Sequence, residues 1–222
     1  MPEQIWSSVD RYIERHLIED DPVLSAALRA SDAAGLPSIA VSPAQGKLLN
    51  ILVNSCQAKR VLEVGTLGGY SSIWMARALA ADGQLISIEA DARHAEIARS
   101  NIDKAGMSDR VQIWIGVASD LLPKVAASGG GLFDFSFIDA DKANIPEYVD
   151  WAVKLSRPGA LILVDNVVRH GALIDEDSAD ADVGGVRELH EMLAADKRVS
   201  ATSIQTVGGK GYDGFTLIVV NA

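Results

Sequence analysis

Residues Arg60 to Ser71 read Arg-Val-Leu-Glu-Val-Gly-Thr-Leu-Gly-Gly-Tyr-Ser. This stretch begins with the short apolar strand Val61–Val64, breaks into a turn that contains three glycines, and continues into a helical run from Ser72 to Ala76. Glycines let the backbone approach a ligand closely, and the N–H groups of such a turn and of the following helix point outward. A strand, a glycine turn and a helix in this order predict a site for a nucleotide-type ligand at the end of the strand.

The spacing of the glycines narrows the kind of ligand. A dinucleotide fingerprint requires G-x-G-x-x-G, and its first glycine pair is missing because Gly65 is followed by Thr66 and Leu67. What is present is Glu63-x-Gly65-x-x-x-Gly69, which resembles the first motif of class I methyltransferases that use S-adenosylmethionine (SAM). The resemblance implies that Glu63 lies near the methionine end of that cofactor.

The amino-acid composition limits the classes of protein to which the chain can belong. The chain has 222 residues, of which 48% are hydrophobic and 23% charged, as expected of a globular domain with a large core. Its formal net charge of −10 disfavours a nucleic-acid partner, because phosphate binding relies on clustered Lys and Arg. Cys56 is the only cysteine, so neither an intrachain disulfide nor a cysteine metal cluster is possible. The sequence has no secretory leader pattern and no apolar run of about 18 residues, so we expect a cytoplasmic protein without a membrane partner.

Three helical segments precede the first strand. Apolar residues recur at helical spacing from Ile5 to Leu17 and predict one buried face for the first segment. Pro22 begins the second segment. Ser42 and Pro43, an N-cap followed by proline at the first helical position, begin the third.

From Arg60 onward, apolar strands and helical segments alternate. The strands are nearly continuous in apolar residues, so the alternation predicts a parallel sheet covered on both faces. Strands are predicted at Val61–Val64, Leu85–Glu89, Val111–Ile115, Phe133–Ile138 and Leu161–Val164. Helices are predicted at Ser71–Ala80, Ala92–Ala105, Ala118–Ala127, Pro146–Leu155 and Val186–Ala195.

The last two apolar segments, Ala201–Thr206 and Phe215–Val220, are separated only by a glycine-rich loop over residues 208–214. A connection this short cannot cross over between parallel strands, so these two strands are expected to pair antiparallel. The predicted fold is α/β: a doubly wound, seven-stranded, Rossmann-like methyltransferase sheet, mostly parallel with a final antiparallel hairpin, preceded by N-terminal helices. We expect one domain over residues 1–222, with the helices in 1–56 and the α/β core in 60–222.

An acidic residue ends the second predicted strand. Glu89 lies roughly 20 residues beyond the glycine turn, where an acidic side chain commonly accepts hydrogen bonds from ribose hydroxyls. The alternative is an acid at a helix start, but Asp91 is the better N-cap. The third strand is followed by Ala118, and a small residue near this strand end would leave room for an adenine ring.

Polar side chains follow the fourth and fifth predicted strands. Asp139 ends the fourth strand, Lys142 comes three residues later, and Asp165 and Asn166 end the fifth. The carboxyl ends of neighbouring strands in an open α/β sheet line one crevice, so two carboxylates and one amide should converge there. Oxygen ligands favour a hard divalent cation over zinc, with Mg²⁺ first and Mn²⁺ or Ca²⁺ as alternatives. The competing interpretation is that the acids cap helices and that Lys142 is a surface residue.

These segments together resemble the cation-dependent O-methyltransferases, the family that contains catechol and caffeoyl-CoA O-methyltransferases. The resemblance extends from about Val9 to Val220 and is most specific in residues 62–71, 137–142 and 164–167. It implies a homodimer that methylates a small hydroxylated molecule with SAM. It implies Asp139, Asp165 and Asn166 as metal ligands, Lys142 and Asp139 as catalytic residues, Glu89 as the ribose ligand, and Glu63, Gly65, Thr66, Gly69, Tyr70, Ser71, Ala118 and Asp139 as further cofactor-binding residues.

The reaction that these residues support is an in-line transfer of a methyl group from sulfonium to oxygen. A divalent cation lowers the pKa of a bound hydroxyl and orients it. Two vicinal hydroxyls would chelate the cation together, which favours a phenolic, catechol-type acceptor. Lys142 is expected to take the proton as general base, with His170 as a second candidate. The alternatives are a metal-independent small-molecule methyltransferase and a non-catalytic SAM-binding module.

Residues 175–182 contain an acidic run after the fifth strand. The run lacks the glycine and the terminal glutamate of a calcium-binding EF-hand loop at the required positions. We therefore expect it to be a solvated loop, with the next helix beginning near Val186.

Overall fold

The computed structural model describes residues 2–222, except for the side chain of Pro2. Its helices are α1 (Pro2–Leu17), α2 (Pro22–Ala33), α3 (Pro43–Ser55), α4 (Tyr70–Ala78), α5 (Ala92–Lys104), α6 (Ala118–Ala127), α7 (Ile145–Leu155) and α8 (Ala181–Ala195). Its strands are β1 (Arg60–Val64), β2 (Gln84–Glu89), β3 (Val111–Ile115), β4 (Phe133–Ile138), β5 (Ser156–Asp165), β6 (Val199–Gly208) and β7 (Gly211–Val220). A 3₁₀ helix, Arg169–Ile174, lies between β5 and α8.

The seven described strands form one sheet in the order β3-β2-β1-β4-β5-β7-β6. β1 lies at the centre of five parallel strands and pairs with β2 on one side and β4 on the other. β7 runs antiparallel between β5 and β6. The predicted fold class, a mostly parallel seven-stranded sheet with a final antiparallel hairpin and N-terminal helices, is confirmed.

Helices cover both faces of the sheet, as the nearly continuous apolar strands predict. One core contains side chains of α2 to α5, and the other contains side chains of α6 to α8. β1 contributes to both, because successive side chains of a strand point to opposite faces: Val61 lies in the first core, and Leu62 and Val64 lie in the second. The strand that leads into the glycine turn is therefore fixed by packing on both faces of the sheet.

The predicted caps of two helices, α3 and α5, are confirmed in detail. The Ser42 hydroxyl accepts a hydrogen bond from the Gln45 backbone N–H at 3.2 Å, and Pro43 is the first residue of α3. The Asp91 carboxylate caps α5 by accepting from the N–H groups of Arg93 and His94. Both caps satisfy backbone donors that a helix leaves unpaired in its first turn.

The final hairpin is longer than the sequence predicts. β6 and β7 remain paired up to Gly208 and Gly211, so the predicted loop over residues 208–214 is in fact a two-residue turn followed by strand. Glycines weaken the sequence signal for a strand, but here a glycine is required by close packing. A Cβ on Gly214 would lie 2.4 Å from the carbonyl oxygen of Ile204 on the paired strand.

Helix α1 forms where the sequence predicts it, but the prediction that its apolar face is buried is wrong for the single chain. Ile5 is 64% exposed, Tyr12 is 59% exposed and Leu17 is 71% exposed. The helical spacing identified an amphipathic helix correctly, and spacing alone does not say what covers the face. Within residues 2–222, no helix has both the length and the hydropathy that a membrane crossing would need.

Helix α8 begins five residues earlier than predicted, so the acidic run is only partly a solvated loop. Asp180 is the N-cap, accepting from the Asp182 backbone N–H at 2.9 Å, and Asp182 lies in the first helical turn. Acidic side chains are favourable at this end of a helix because of its dipole. The charged residues that suggested a loop therefore include the start signal of the helix.

Candidate active site

The glycine turn after β1 is packed directly against the end of β4. Gly65 has a φ of +97°, and a Cβ at this position would lie 2.0 Å from the carbonyl oxygen of Asp139. The N–H of Asp139 in turn donates to the Val64 carbonyl at 2.8 Å. Only glycine fits here, since an added side-chain atom would overlap the backbone of Asp139. The turn and the first predicted metal ligand thus form one rigid junction.

Substituting Gly65 by Ala is expected to break this junction. An L residue at positive φ costs about 1–3 kcal/mol, and the overlap with Asp139 adds to that cost. We expect the free energy of unfolding to fall by at least about 2 kcal/mol and the SAM affinity to fall with it. Chemical denaturation and calorimetric titration with SAM measure the two effects.

Gly106→Ala is the matched control for this substitution. Gly106 also has a positive φ, +69°, but no heavy atom lies within 4 Å of its added Cβ. It therefore isolates the conformational cost from the overlap. Equal losses of stability and SAM affinity in the two variants would contradict the role of the close approach.

Glu63, the acidic residue of the first motif, lies fully buried behind the turn. One carboxylate oxygen accepts from the Ser71 hydroxyl at 2.6 Å, and the other accepts from Ser72 at 2.5 Å and Ser87 at 2.6 Å. It does not line the cavity in front of the turn. Its predicted contact with the cofactor is thus replaced in the structure by contacts with three serines, which fix the turn and the start of α4.

Burial raises the pKa of Glu63 to about 7, with the three serine hydrogen bonds opposing the shift. The folded protein binds this proton more tightly than the unfolded chain does, so the free energy of unfolding should rise as the pH falls from about 7 towards about 4.5. Glu63→Gln is expected to remove this component, which is on the order of a few kcal/mol. Denaturation curves across this pH range test it, with the exposed Glu96→Gln as control. Parallel pH profiles for wild type and Glu63→Gln would contradict the assignment.

Glu89 joins the end of β2 to the same turn. Its Oε2 accepts from the backbone N–H groups of Thr66 at 3.1 Å and Leu67 at 2.8 Å, and its Oε1 accepts from Asp91 at 2.9 Å. Oε1 keeps a further lone pair, so a hydroxyl donor can still bind there. His94, which the sequence interpretation did not assign, lies beside it, with Nδ1 3.7 Å from Oε1.

A cavity of about 540 Å³, called the first cavity below, opens between the turn, β2 and the end of β4. This volume suits a ligand of nucleoside size. Of the predicted cofactor residues, Gly69 and Glu63 lie behind its wall rather than in it. The others line it: Gly65, Thr66, Tyr70, Ser71, Glu89, Ala118 and Asp139.

The carboxylates at the ends of β4 and β5 lie close enough for the charge of Asp139 to act on Asp165. Asp139 Oδ1 accepts from the buried Lys142 Nζ at 2.9 Å. Asp165 is also buried, and its Oδ2 accepts from Gln45 Nε2 at 2.7 Å while its Oδ1 accepts from the Asn166 N–H at 2.9 Å. Burial and the charge of Asp139 raise the pKa of Asp165 to about 6. The lysine is thus part of the site and not a surface residue.

This donor set fits a hard divalent cation. The buried carboxylate of Asp165 and the half-buried carboxylate of Asp139 repel one another, and both gain from a positive charge placed between them. Asn166 adds an amide oxygen, and its backbone is held at a φ of +57°. No group of three or more His, Cys, Asp or Glu side chains suited to a metal occurs within residues 2–222, so a site here would use two carboxylates and an amide. That composition matches oxygen-preferring cations rather than zinc.

Helix α8 fixes the backbone of Lys142 through a hydrogen bond and close packing. The sequence analysis did not predict this contact. Asp182 Oδ1 accepts from the Lys142 backbone N–H at 3.2 Å, and Oδ2 accepts from Arg169 Nη2 at 3.2 Å. A Cβ on Gly185 would lie 2.1 Å from the Lys142 carbonyl oxygen, so the helix backbone packs directly on this loop. The glycine pair at 184–185 inside a helix was the available signal for such close packing.

A second cavity, of about 690 Å³, lies on the other side of Asp165. It is enclosed by the connector over residues 38–42, the start of α3 and the tip of the β6–β7 hairpin. Asn166 and Arg169 line both cavities, so the second adjoins the first at the predicted metal ligands. His170, the second base candidate, lines the second cavity.

Comparison with known proteins identifies the family. The sequence profile described as O-methyltransferase matches residues 14–219. The chain belongs to the O-methyltransferase family. The family assignment confirms the enzyme class expected from the sequence, a SAM-dependent O-methyltransferase.

Individual relatives match this O-methyltransferase along almost their whole length. It is 51% identical over 220 residues to a catechol O-methyltransferase of Niastella koreensis, covering 99% of this chain and 100% of the relative. It is 50% identical to a catechol O-methyltransferase of Mycobacterium tuberculosis, and the match covers 96% of this chain and 94% of the relative. Among solved structures, TomG from Streptomyces achromogenes in complex with SAM has 52% identity and a TM-score of 0.97, with full coverage of both chains. An O-methyltransferase from Bacillus cereus in complex with SAH has 50% identity and a TM-score of 0.97, and the match covers 99% of this chain and 100% of the other.

Proposed function

We propose that this O-methyltransferase moves the methyl group of SAM to a hydroxyl of a small catechol-type molecule, assisted by a divalent cation on Asp139, Asp165 and Asn166. The observation that carries the proposal is the position of these three side chains at the border of the two cavities. One cavity would hold the methyl donor, and the other the acceptor. The two relatives named catechol O-methyltransferase support this acceptor class.

The first cavity is assigned to SAM, in agreement with the relatives solved with SAM or SAH. The free lone pair of Glu89 Oε1 would accept a ribose hydroxyl, and the carboxylate of Asp139 would face the amino group of the methionine end. Glu63 is assigned an indirect role, through Ser71 and Ser72. The cofactor-binding residues proposed here are Gly65, Thr66, Tyr70, Ser71, Glu89, Ala118 and Asp139, and Gly69 is assigned an indirect role in shaping the turn.

The cation, with Mg²⁺ as first choice, would supply a Lewis acid that lowers the pKa of the acceptor hydroxyl. Lys142 is assigned to take the hydroxyl proton at Nζ. The contact of its Nζ with Asp139 and the packing of α8 hold the side chain in the wall of the first cavity, where the neutral amine would accept the proton. Orientation of donor and acceptor by rigid strand ends supplies much of the rate in such a transfer.

A panel of isomeric diols tests the proposed function. Catechol, resorcinol and hydroquinone differ only in hydroxyl spacing, and only catechol offers two vicinal oxygens to one cation. With SAM and Mg²⁺ present, we expect a monomethyl ether and SAH from catechol and little product from its isomers. Equal rates on all three diols would contradict a chelated acceptor, and transfer to none would reject the acceptor class.

A homodimer is part of the proposal. The family resemblance implies it, and the exposed apolar residues of α1, among them Ile5 and Tyr12, form a surface that a second copy would cover. Sedimentation analysis should give a dimer of the 23.5 kDa chain. A Tyr12→Lys variant should shift it towards monomer, and a wild-type monomer at micromolar concentration would contradict the proposal.

A further inference from the structure

The tip of the β6–β7 hairpin carries a lysine into the wall of the second cavity. The N–H of Gly209 donates to Asp10 Oδ2 at 2.6 Å, which ties the tip to α1. Lys210 Nζ donates to the backbone carbonyl of Ala40 in the connector between α2 and α3. The tip is therefore fixed from two sides, and its ammonium group has a defined position at the cavity.

The charge of Lys210 is not matched by a carboxylate. No carboxylate within residues 2–222 lies within 4.0 Å of its Nζ. Desolvation of the amine lowers its pKa, although the charges of Asp139 and Asp165 oppose this. One backbone carbonyl leaves two of the three ammonium donors without a protein partner among the contacts that the structure describes.

The other charged groups of the second cavity are already engaged. Arg169 is paired with Asp182, and Asp10 accepts from the hairpin tip. Asp213 Oδ1 accepts from three backbone N–H groups, those of Val168, Arg169 and Gly214. The two carboxylates that act on Lys210 from a distance are those assigned to the cation. With the cation bound, Lys210 would be left as a cation that lacks an anion.

We propose that Lys210 binds a carboxylate of the acceptor, so that the natural substrate is an anionic catechol with its carboxylate on the side opposite the reacting hydroxyls. This inference rests on the proposed function. The cavity volume of about 690 Å³ accommodates one aromatic ring with a short acidic side chain. A single ammonium group matches one carboxylate, whereas a polyphosphate would need a cluster of cations that this cavity lacks. Among the described residues that line it, the other cationic candidates are Arg169, which is paired, and His170.

Protocatechuate and its methyl ester form a matched pair of probes. Both carry the same vicinal diol and an electron-withdrawing group, and only the acid is anionic at neutral pH. A hydrogen bond to a charged group is worth about 10- to 100-fold in affinity. In the wild type we expect kcat/KM for the acid to exceed that for the ester, chiefly through a lower KM.

Lys210→Met should lower kcat/KM for the acid by about 10- to 100-fold and leave the ester nearly unchanged. Lys210→Arg keeps the charge and should retain the preference for the acid. Each probe is compared with itself in wild type and in the variants. The difference in intrinsic reactivity between acid and ester therefore does not affect the comparison. Activity on the ester also reports that the variant is folded.

The outcomes separate this inference from the proposed function. If the ester is methylated but the acid has no advantage in the wild type, the role of Lys210 is wrong and the proposed function stands. An equal loss on both probes in Lys210→Met would assign the lysine to holding the hairpin tip, which also overturns the inference. If neither probe is methylated although SAM binds, the proposed acceptor class fails, and the inference fails with it.

Discussion

Asp165→Asn is expected to lower kcat/KM for a catechol on the order of 10³-fold. The substitution removes one of the two carboxylate charges that attract the cation and keeps the shape of the side chain. Lewis-acid assistance is worth several kcal/mol in the transition state, and each factor of ten corresponds to about 1.4 kcal/mol. SAM binding should persist, because Asp165 does not line the first cavity. Steady-state rates and calorimetric titrations with Mg²⁺ and with SAM measure the three quantities.

The unfolding temperature of metal-free Asp165→Asn distinguishes loss of the cation site from misfolding of the variant. The pKa of Asp165 is raised to about 6, so its ionised form destabilises the metal-free protein above that pH. Asp165→Asn should therefore unfold at the same or a higher temperature than wild type at neutral pH without metal. Glu176→Gln, an exposed acid of the same connection, serves as control and should leave Mg²⁺ binding and turnover unchanged. Unaltered turnover in Asp165→Asn would reject the ligand assignment.

Lys142→Met is expected to lower kcat by about 10²- to 10⁴-fold, the usual contribution of a positioned general base. Methionine retains the length of the buried side chain and removes the group that takes the proton. Lys142→Arg should not restore the rate, because a guanidinium does not lose its proton in a protein. Affinity for SAM and for Mg²⁺ should stay close to wild type.

Lys154→Met is the matched control for this loss. Lys154 lies on α7, pairs with Asp150 at the surface and lines neither cavity. It should keep full activity. Turnover of Lys142→Met close to that of wild type across the pH range would show that another group takes the proton.

Residues placed by strand ends were predictable, because topology fixes them. Asp139 and Asp165 follow neighbouring buried strands, and parallel strand order alone brings their carboxyl ends together. Glu89 was predictable for the same reason. The caps at Ser42 and Asp91 rest on local hydrogen bonds and needed no tertiary information.

Residues that act across long sequence separations were not predictable. Gln45 binds Asp165 from 120 positions away, and nothing in the local sequence of α3 points to that contact. Asp182 stood in an acidic run that favoured a solvated loop, yet it accepts the N–H of Lys142. The motif placed Glu63 near the cofactor, but only the fold shows that three serine hydroxyls occupy its carboxylate.

We propose that Asp139, Asp165 and Asn166 would hold a divalent cation, which would lower the pKa of the acceptor hydroxyl. The most direct measurement is the initial rate of methyl transfer from SAM to catechol after exhaustive chelation, and again after Mg²⁺ is restored. Calorimetric SAM binding is recorded in the same samples. We expect the rate to fall on the order of 10³-fold without metal, to return with Mg²⁺, and SAM binding to persist throughout. A full rate in the chelated enzyme would contradict the claim.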